Sequence, residues 1–203
     1  MSSPVLWYTT RATGLVALIL LSSTMVVGIL TANRLPTRRW PGFAQQDLHK
    51  RLSIVSLVFV GIHVLTSVLD TYVDFGWPSI LLPFTSDYDR LWIALGTISV
   101  DLMSAVALSS FLRPRIKASL WRSLHWLAYL SWPVALAHAF GTGTDMSEPW
   151  AMGLGATCIA SVACALAVRI GTGITRRRRA LALATAPVVA RYLPPGHATR
   201  RER

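Results

Sequence analysis

Five stretches of this chain are apolar enough and long enough to cross a lipid bilayer. A bilayer core takes about 20 consecutive apolar residues in helical form. Residues 12–32 carry no charge, 52–69 carry only His63, and 91–112 carry only Asp101. Residues 123–144 carry His125, His138 and Pro133, and 149–168 are uncharged. In lipid each segment must satisfy its own backbone hydrogen bonds, so the expected fold is an all-α bundle of five transmembrane helices. The chain is 53% hydrophobic and only 14% charged, against about 25% charged in soluble domains.

The net charge of +11 does not mark a nucleic-acid binder, because the basic residues are gathered between the apolar runs and after the last. One connection holds Arg34, Arg38, Arg39, Lys50 and Arg51, and another Arg113, Arg115, Lys117 and Arg122. The C-terminal segment adds Arg169, Arg176 to Arg179, Arg191, Arg200, Arg201 and Arg203. The remaining connections are acidic, with Asp70, Asp74, Asp87 and Asp89 in one and Asp145 and Glu148 in the other. The alternation predicts a cell-membrane protein with its N-terminus outside and its C-terminus in the cytoplasm. The first run does not read as a signal peptide: its apolar part is too long and its basic residues follow it. Residues 1–170 read as the membrane domain. Residues 171–203, with a run of four arginines, read as a basic, disordered cytoplasmic tail, either solvated or touching anionic lipid.

Two cysteines, Cys158 and Cys164, lie six residues apart in the last run and point to different helix faces, which predicts small buried packing groups. No CxxC, GxGxxG or phosphate loop occurs.

The chemistry is concentrated in four histidines. His49 and His63 are fourteen residues apart on the second helix, and His125 and His138 thirteen apart on the fourth. The second and fourth helices run in the same direction. At about 1.5 Å per residue the offsets are about 21 and 20 Å, so His49 can face His125 at an inner level and His63 can face His138 at an outer one. Two imidazoles facing one another at one depth can ligate a haem iron from both sides. Intramembrane polar residues are functional candidates by default; the alternative is four satisfied core histidines in a haem-free structural or transport protein. Zinc at either pair would want further ligands that the pairs lack. The angles do not close by themselves: at about 100° per residue the two imidazoles are about 40° apart around the second helix and about 140° apart around the fourth. Pro133 is expected to kink the fourth helix between them.

The stretches LHKRLSIVSLVFVGIHVL and WRSLHWLAYLSWPVALAHAFGTGTD resemble the ferric reductase-like transmembrane domain. That haem core is shared by NADPH oxidases, ferric reductases and the membrane partner of bacterial methionine sulfoxide reductase. RATGLVALILL is similar to its first retained helix, and the resemblance spans about residues 8–150. It implies two b-type haems stacked between the second and fourth helices, on His49/His125 and His63/His138. Many members have six helices where five are expected here, and the large reductases continue into a flavin and nicotinamide module. No flavin or nicotinamide site is expected in this chain. A separate flavoprotein or membrane quinol would then donate electrons on the cytoplasmic side.

Further candidates surround the histidines. Trp132, seven residues after His125, falls in depth between the two levels, as an electron bridge or a packing aromatic. Arg11 at the outer side and Arg51 and Arg122 at the inner side are placed to pair with haem propionates, or simply flank their helices. Asp101, in mid-membrane, is expected to face the protein interior, in a proton-linked role or bonded to a ligand histidine. The connection from Asp70 to Arg90, with Trp77, Ile80, Leu81, Leu82 and Phe84, either caps the outer haem or only anchors at the interface. Asp145 matches a recurring feature of the family.

The sequence therefore predicts transmembrane electron transfer to an outer acceptor. Ferric iron is the default by resemblance, with an extracytoplasmic redox protein, quinone or oxygen as alternatives. A quinol-linked anchor subunit feeding an extracytoplasmic enzyme is the second reading. Lipid surrounds the chain in every case.

Overall fold

The computed structural model describes residues 4–32, 41–70 and 76–185. They form α1 (Pro4–Ala32), α2 (Gly42–Leu69), α3 (Arg90–Phe111), α4 (Ala118–His125), α5 (Leu127–Thr142) and α6 (Pro149–Thr185), with short 3-10 turns at Trp77–Ile80 and Thr144–Ser147. No strand occurs among the described residues.

Burial runs opposite to that of a water-soluble bundle. Ser22, Ser56, Thr66, Thr97, Ser99, Ser109 and Ser131 are buried, while Ile54, Val58, Leu65, Leu91 and Leu108 are exposed. Lipid removes the drive to hide apolar groups, and small hydroxyls let helix backbones approach closely. Their hydroxyls are returned to the chain: Ser22 donates to the Leu18 carbonyl and Ser56 to the Leu52 carbonyl, each at 2.7 Å. The four helices α1, α2, α3 and α6 are long and apolar enough to cross a membrane, and the chain is an integral membrane protein.

The fourth expected span differs from its sequence reading. Residues 123–144 are not one helix: α4 ends at His125, Trp126 forms a turn, and α5 has 16 residues, about 24 Å. The interruption is at Trp126 rather than at Pro133, which lies inside α5. Here the winding tightens: the Trp126 amide bonds to the Ser123 carbonyl as well as that of Arg122, and the Tyr129 amide bonds to the Trp126 carbonyl. A 3-10 turn holds three residues, against 3.6 in an α-helix. The tightening therefore winds in the direction of the angular shortfall between His125 and His138. At the other end of the chain, α6 continues through Thr185, so residues 171–185 are helical where a disordered tail is expected. Residues 186–203, like Arg34, Arg38 and Arg39, lie outside the described residues.

α1 packs most extensively on α2, α3 on α5, and α6 on α1. Three apolar clusters join the pairs. Leu18, Met146, Ala151 and Cys158 tie α1 to α6; Ala17, Val60 and Met103 join α1, α2 and α3; Ile29, Val162 and Ala165 join α1 to α6 beside Trp132. Two expectations about burial fail. Asp101 and Cys164 are both exposed, on outward faces of α3 and α6.

Arg11 and Asp145 tie the start of α1 to the turn between α5 and α6. Two guanidinium nitrogens of Arg11 meet the two carboxylate oxygens of Asp145, the bidentate fork that suits this pair. The same guanidinium lies 3.9 Å from the ring centroid of Trp7. Losing Asp145 strands a partly buried cation, so Asp145→Asn is expected to cost about 1–2 kcal/mol, read as a lowered unfolding temperature in detergent. Asp47→Ala, which breaks the exposed Arg51–Asp47 pair, is expected to change stability by less than about 0.5 kcal/mol.

Candidate functional site

The four histidines meet in two pairs. The rings of His49 and His125 have centroids 6.2 Å apart with planes at 78°, and those of His63 and His138 are 6.4 Å apart at 72°. We call these the first and second levels. A metal–imidazole bond is about 2 Å and a ring nitrogen lies about 1.1 Å from its centroid, so one metal ion between two imidazoles needs about 6.3 Å.

Three of the four rings are seated in the same way. His63 Nδ1 bonds to the Thr10 carbonyl at 2.9 Å, His49 Nδ1 to the Thr24 carbonyl at 3.2 Å, and His138 Nδ1 to the Trp92 carbonyl at 2.8 Å. A carbonyl only accepts, so each Nδ1 carries the proton and Nε2 is left for a metal. Four residues after each of those carbonyls stands a glycine: Gly14, Gly28 and Gly96. In a helix the side chain at X+4 leans back over the turn that ends in carbonyl X, and only glycine leaves that spot open. A Cβ at Gly14 or Gly28 would come within 3.0 Å of the His63 or His49 ring, and one at Gly96 within 2.7 Å of the His138 ring. The carbonyl serves twice, accepting the helix N–H on one lone pair and the imidazole on the other.

The seats fix the helix pairing. Gly14 and Gly28 on α1 are fourteen residues apart, as His49 and His63 are on α2, and the two helices match in antiparallel register. Midway between the histidines, Ser56 is almost fully buried and its hydroxyl lies 3.1 Å from that of Thr24. A seven-residue repeat supercoils left-handed and absorbs about 20° per heptad, the 40° by which α2 alone misses. Trp92 holds α5 twice: its carbonyl takes His138, and its indole lies against Gly141.

At the second level a cavity of about 340 Å³ opens beside His63 and His138. Val60, Val100 and Met103 line it, as do Arg11 and Asp145. The 76–90 connection supplies part of its wall through Ser79, Ile80 and Tyr88, held down where the Thr97 hydroxyl donates to the Ser79 carbonyl at 2.6 Å. The Thr10 hydroxyl, buried without a partner among the described residues, belongs to a residue of the same lining.

The other expected residues are distributed differently. Trp132 donates Nε1–H to Ser22 at 3.0 Å and packs beside Ile29 of α1, at a depth between the levels. Arg11 is engaged by Asp145 and Arg51 by Asp47, and Arg122 is exposed. The glycines and the carbonyls they uncover are the site residues that sequence reasoning missed. Their signal is the fourteen-residue glycine spacing that mirrors the histidine spacing.

Among the described residues no three His, Cys, Asp or Glu cluster around a common point. Each level therefore brings together two histidine rings and no third His, Cys, Asp or Glu among the described residues. The family model described as ferric reductase like transmembrane component matches residues 13–136, which include three of the histidines and stop two residues short of His138. No curated protein and no solved structure matches the chain.

The glycine seats make a prediction independent of any cofactor. Gly14→Ala, Gly28→Ala and Gly96→Ala are each expected to destabilise by about 1–3 kcal/mol through overpacking. Gly61→Ala, where a Cβ meets nothing, is expected to be neutral or to stabilise by up to about 1 kcal/mol. Thermal unfolding of the four variants in detergent checks it.

Proposed function

This chain belongs to the ferric reductase-like transmembrane family, and we propose that it carries electrons across the cell membrane through two bis-histidine b-type haems. The observation that carries the reading is the pair of imidazole pairs, 6.2 and 6.4 Å between centroids, with Nδ1 protonated against backbone carbonyls at three of four positions. Two facing histidines, with no third His, Cys, Asp or Glu beside them among the described residues, would suit a haem iron, which brings its remaining ligands with it. The mostly apolar cavity beside His63 and His138 suits a flat apolar group.

His49 and His125 would hold the inner haem and His63 and His138 the outer one. Two haems, when bound, supply one-electron stations at two depths, about 21 Å apart along α2. The seats orient the imidazoles before the group arrives and raise the basicity of Nε2. Trp132, pinned to Ser22 between the levels, fills the interior with an aromatic and excludes water there. Arg11, whose charge Asp145 balances, is the candidate for an outer propionate, and Arg51 and Arg122 are the inner candidates. Histidine would hold each haem iron from both sides, and the haems would supply one-electron transfer.

We assign α4 and α5 together as a fifth crossing. The N-terminus is placed outside, supported by Arg113, Arg115, Lys117, Arg122 and Arg176 to Arg179 at one end and Asp70, Asp87, Asp89, Asp145 and Glu148 at the other. Electrons then enter from a separate cytoplasmic flavoprotein or quinol and leave to ferric iron or an extracytoplasmic redox protein. Outward flow runs with an inside-negative potential, worth about 2.3 kcal/mol per charge per 100 mV.

The test is an absorption spectrum of the purified protein, oxidised and dithionite-reduced, with haem quantified per chain. A low-spin b-type spectrum at about two haems per chain is expected; a colourless preparation from haem-replete cells would refute the reading. His63→Ala and His138→Ala should each lose the outer haem, and His49→Ala and His125→Ala the inner one. A C-terminal reporter should be active only in the cytoplasm.

A further inference from the structure

His125 is held differently from the other three histidines. Its Nδ1 is buried and has no hydrogen-bond partner among the described residues, and the Nε1 of Trp121, one turn earlier, is in the same condition. The two rings stack, with centroids 5.0 Å apart at 25°, and Arg113 lies 4.4 Å from the centre of the Trp121 ring. Among the described residues no glycine faces His125. Fourteen residues on from Gly96, where a repeat of the α1 pattern would put one, stands Ser110. The helix that carries His125 is also short: α4 has eight residues, none of them buried, and ends at the Trp126 break.

Ligation through Nε2 puts the proton on Nδ1, and at His125 that proton has no acceptor. Removing the hydrogen-bond partner of a metal-ligating histidine typically costs 10–100-fold in metal affinity, and at this position the partner is missing from the outset. We propose that His125 is the exchangeable ligand of the inner iron, yielding its place in the ferrous state to a neutral diatomic π-acceptor such as carbon monoxide. The iron–nitrogen bond to His125 breaks, an iron–carbon bond forms, the imidazole leaves neutral, and no electron is transferred. His49, His63 and His138, each clamped at Nδ1, do not exchange. The inner level is thereby a binding site for small diatomic molecules as well as a station for electrons. This inference rests on the haem reading above.

The experiment titrates the dithionite-reduced protein with carbon monoxide and follows the Soret band. One of the two haems is expected to form the adduct. The double variant His63→Ala/His138→Ala, which keeps only the inner pair, should still bind carbon monoxide, and His49→Ala/His125→Ala, which keeps only the outer pair, should not. In the otherwise intact protein, Trp121→Ala removes the stack that steadies His125. It should lower the half-saturating carbon monoxide concentration about tenfold without changing haem content. This single variant decides the matter if the double variants fail to fold. Two haems that both bind carbon monoxide, or neither, or a Trp121→Ala variant with unchanged affinity, would overturn the proposal and leave the two-haem reading intact. A preparation without haem would overturn the two-haem reading instead.

Discussion

The fold depends on a hydrogen bond that helices seldom offer sideways. A helical carbonyl is already committed to the N–H four residues later, and its second lone pair is normally covered by the side chain at that position. Glycine at Gly14, Gly28 and Gly96 removes the cover, and His63, His49 and His138 occupy the space. An imidazole inside a membrane is costly unless its N–H is satisfied. The bond therefore resolves the cost of the residue, sets its tautomer and fixes the register of the two helices together. α1 with α2 and α3 with α5 are the most extensive pairings because those are the pairs across which the seats operate.

The membrane character, the all-helical architecture and the spacing that brings His49 near His125 and His63 near His138 were legible in the sequence. They depend on hydropathy and on rise per residue, which act locally. The angular problem was legible as a problem but not in its answer. The 40° on α2 is what a two-heptad seam absorbs, and that seam exists only once Gly14 and Gly28 are known to face His63 and His49. On the fourth span Pro133 drew attention because its missing N–H is visible in the sequence. The actual tightening falls at Trp126, where no residue type announces it.

Charged residues were harder to read than histidines. Arg11 was expected to await an anionic group, and it has one already: Asp145, more than a hundred residues away. An ion pair between distant segments leaves no trace in local pattern. Asp101 fails in the other direction. Mid-membrane carboxylates generally face inward, yet this one lies on the exposed side of α3, since the inward faces of that helix are taken by Ala94, Thr97, Ser99 and Met103. The end of α6 was misjudged because four arginines look like solvated coil, although arginine is a good helix former and a 37-residue helix already nucleated in the membrane continues at little cost.

The inequality of the two levels follows from the same local events. A thirteen-residue spacing cannot repeat a seven-residue seam, so α4 and α5 cannot seat both of their histidines on α3 as α2 does on α1. The chain satisfies His138, nearer the middle of a helix and braced by Trp92 and Gly141, and breaks after His125. Beside the break the His125 ring lies 6.2 Å from that of His49 between centroids, and its Nδ1 has no partner among the described residues. Alignment with the partner imidazole and satisfaction of the ring's own N–H are thus separate demands. His49, His63 and His138 meet both, and His125 meets only the first.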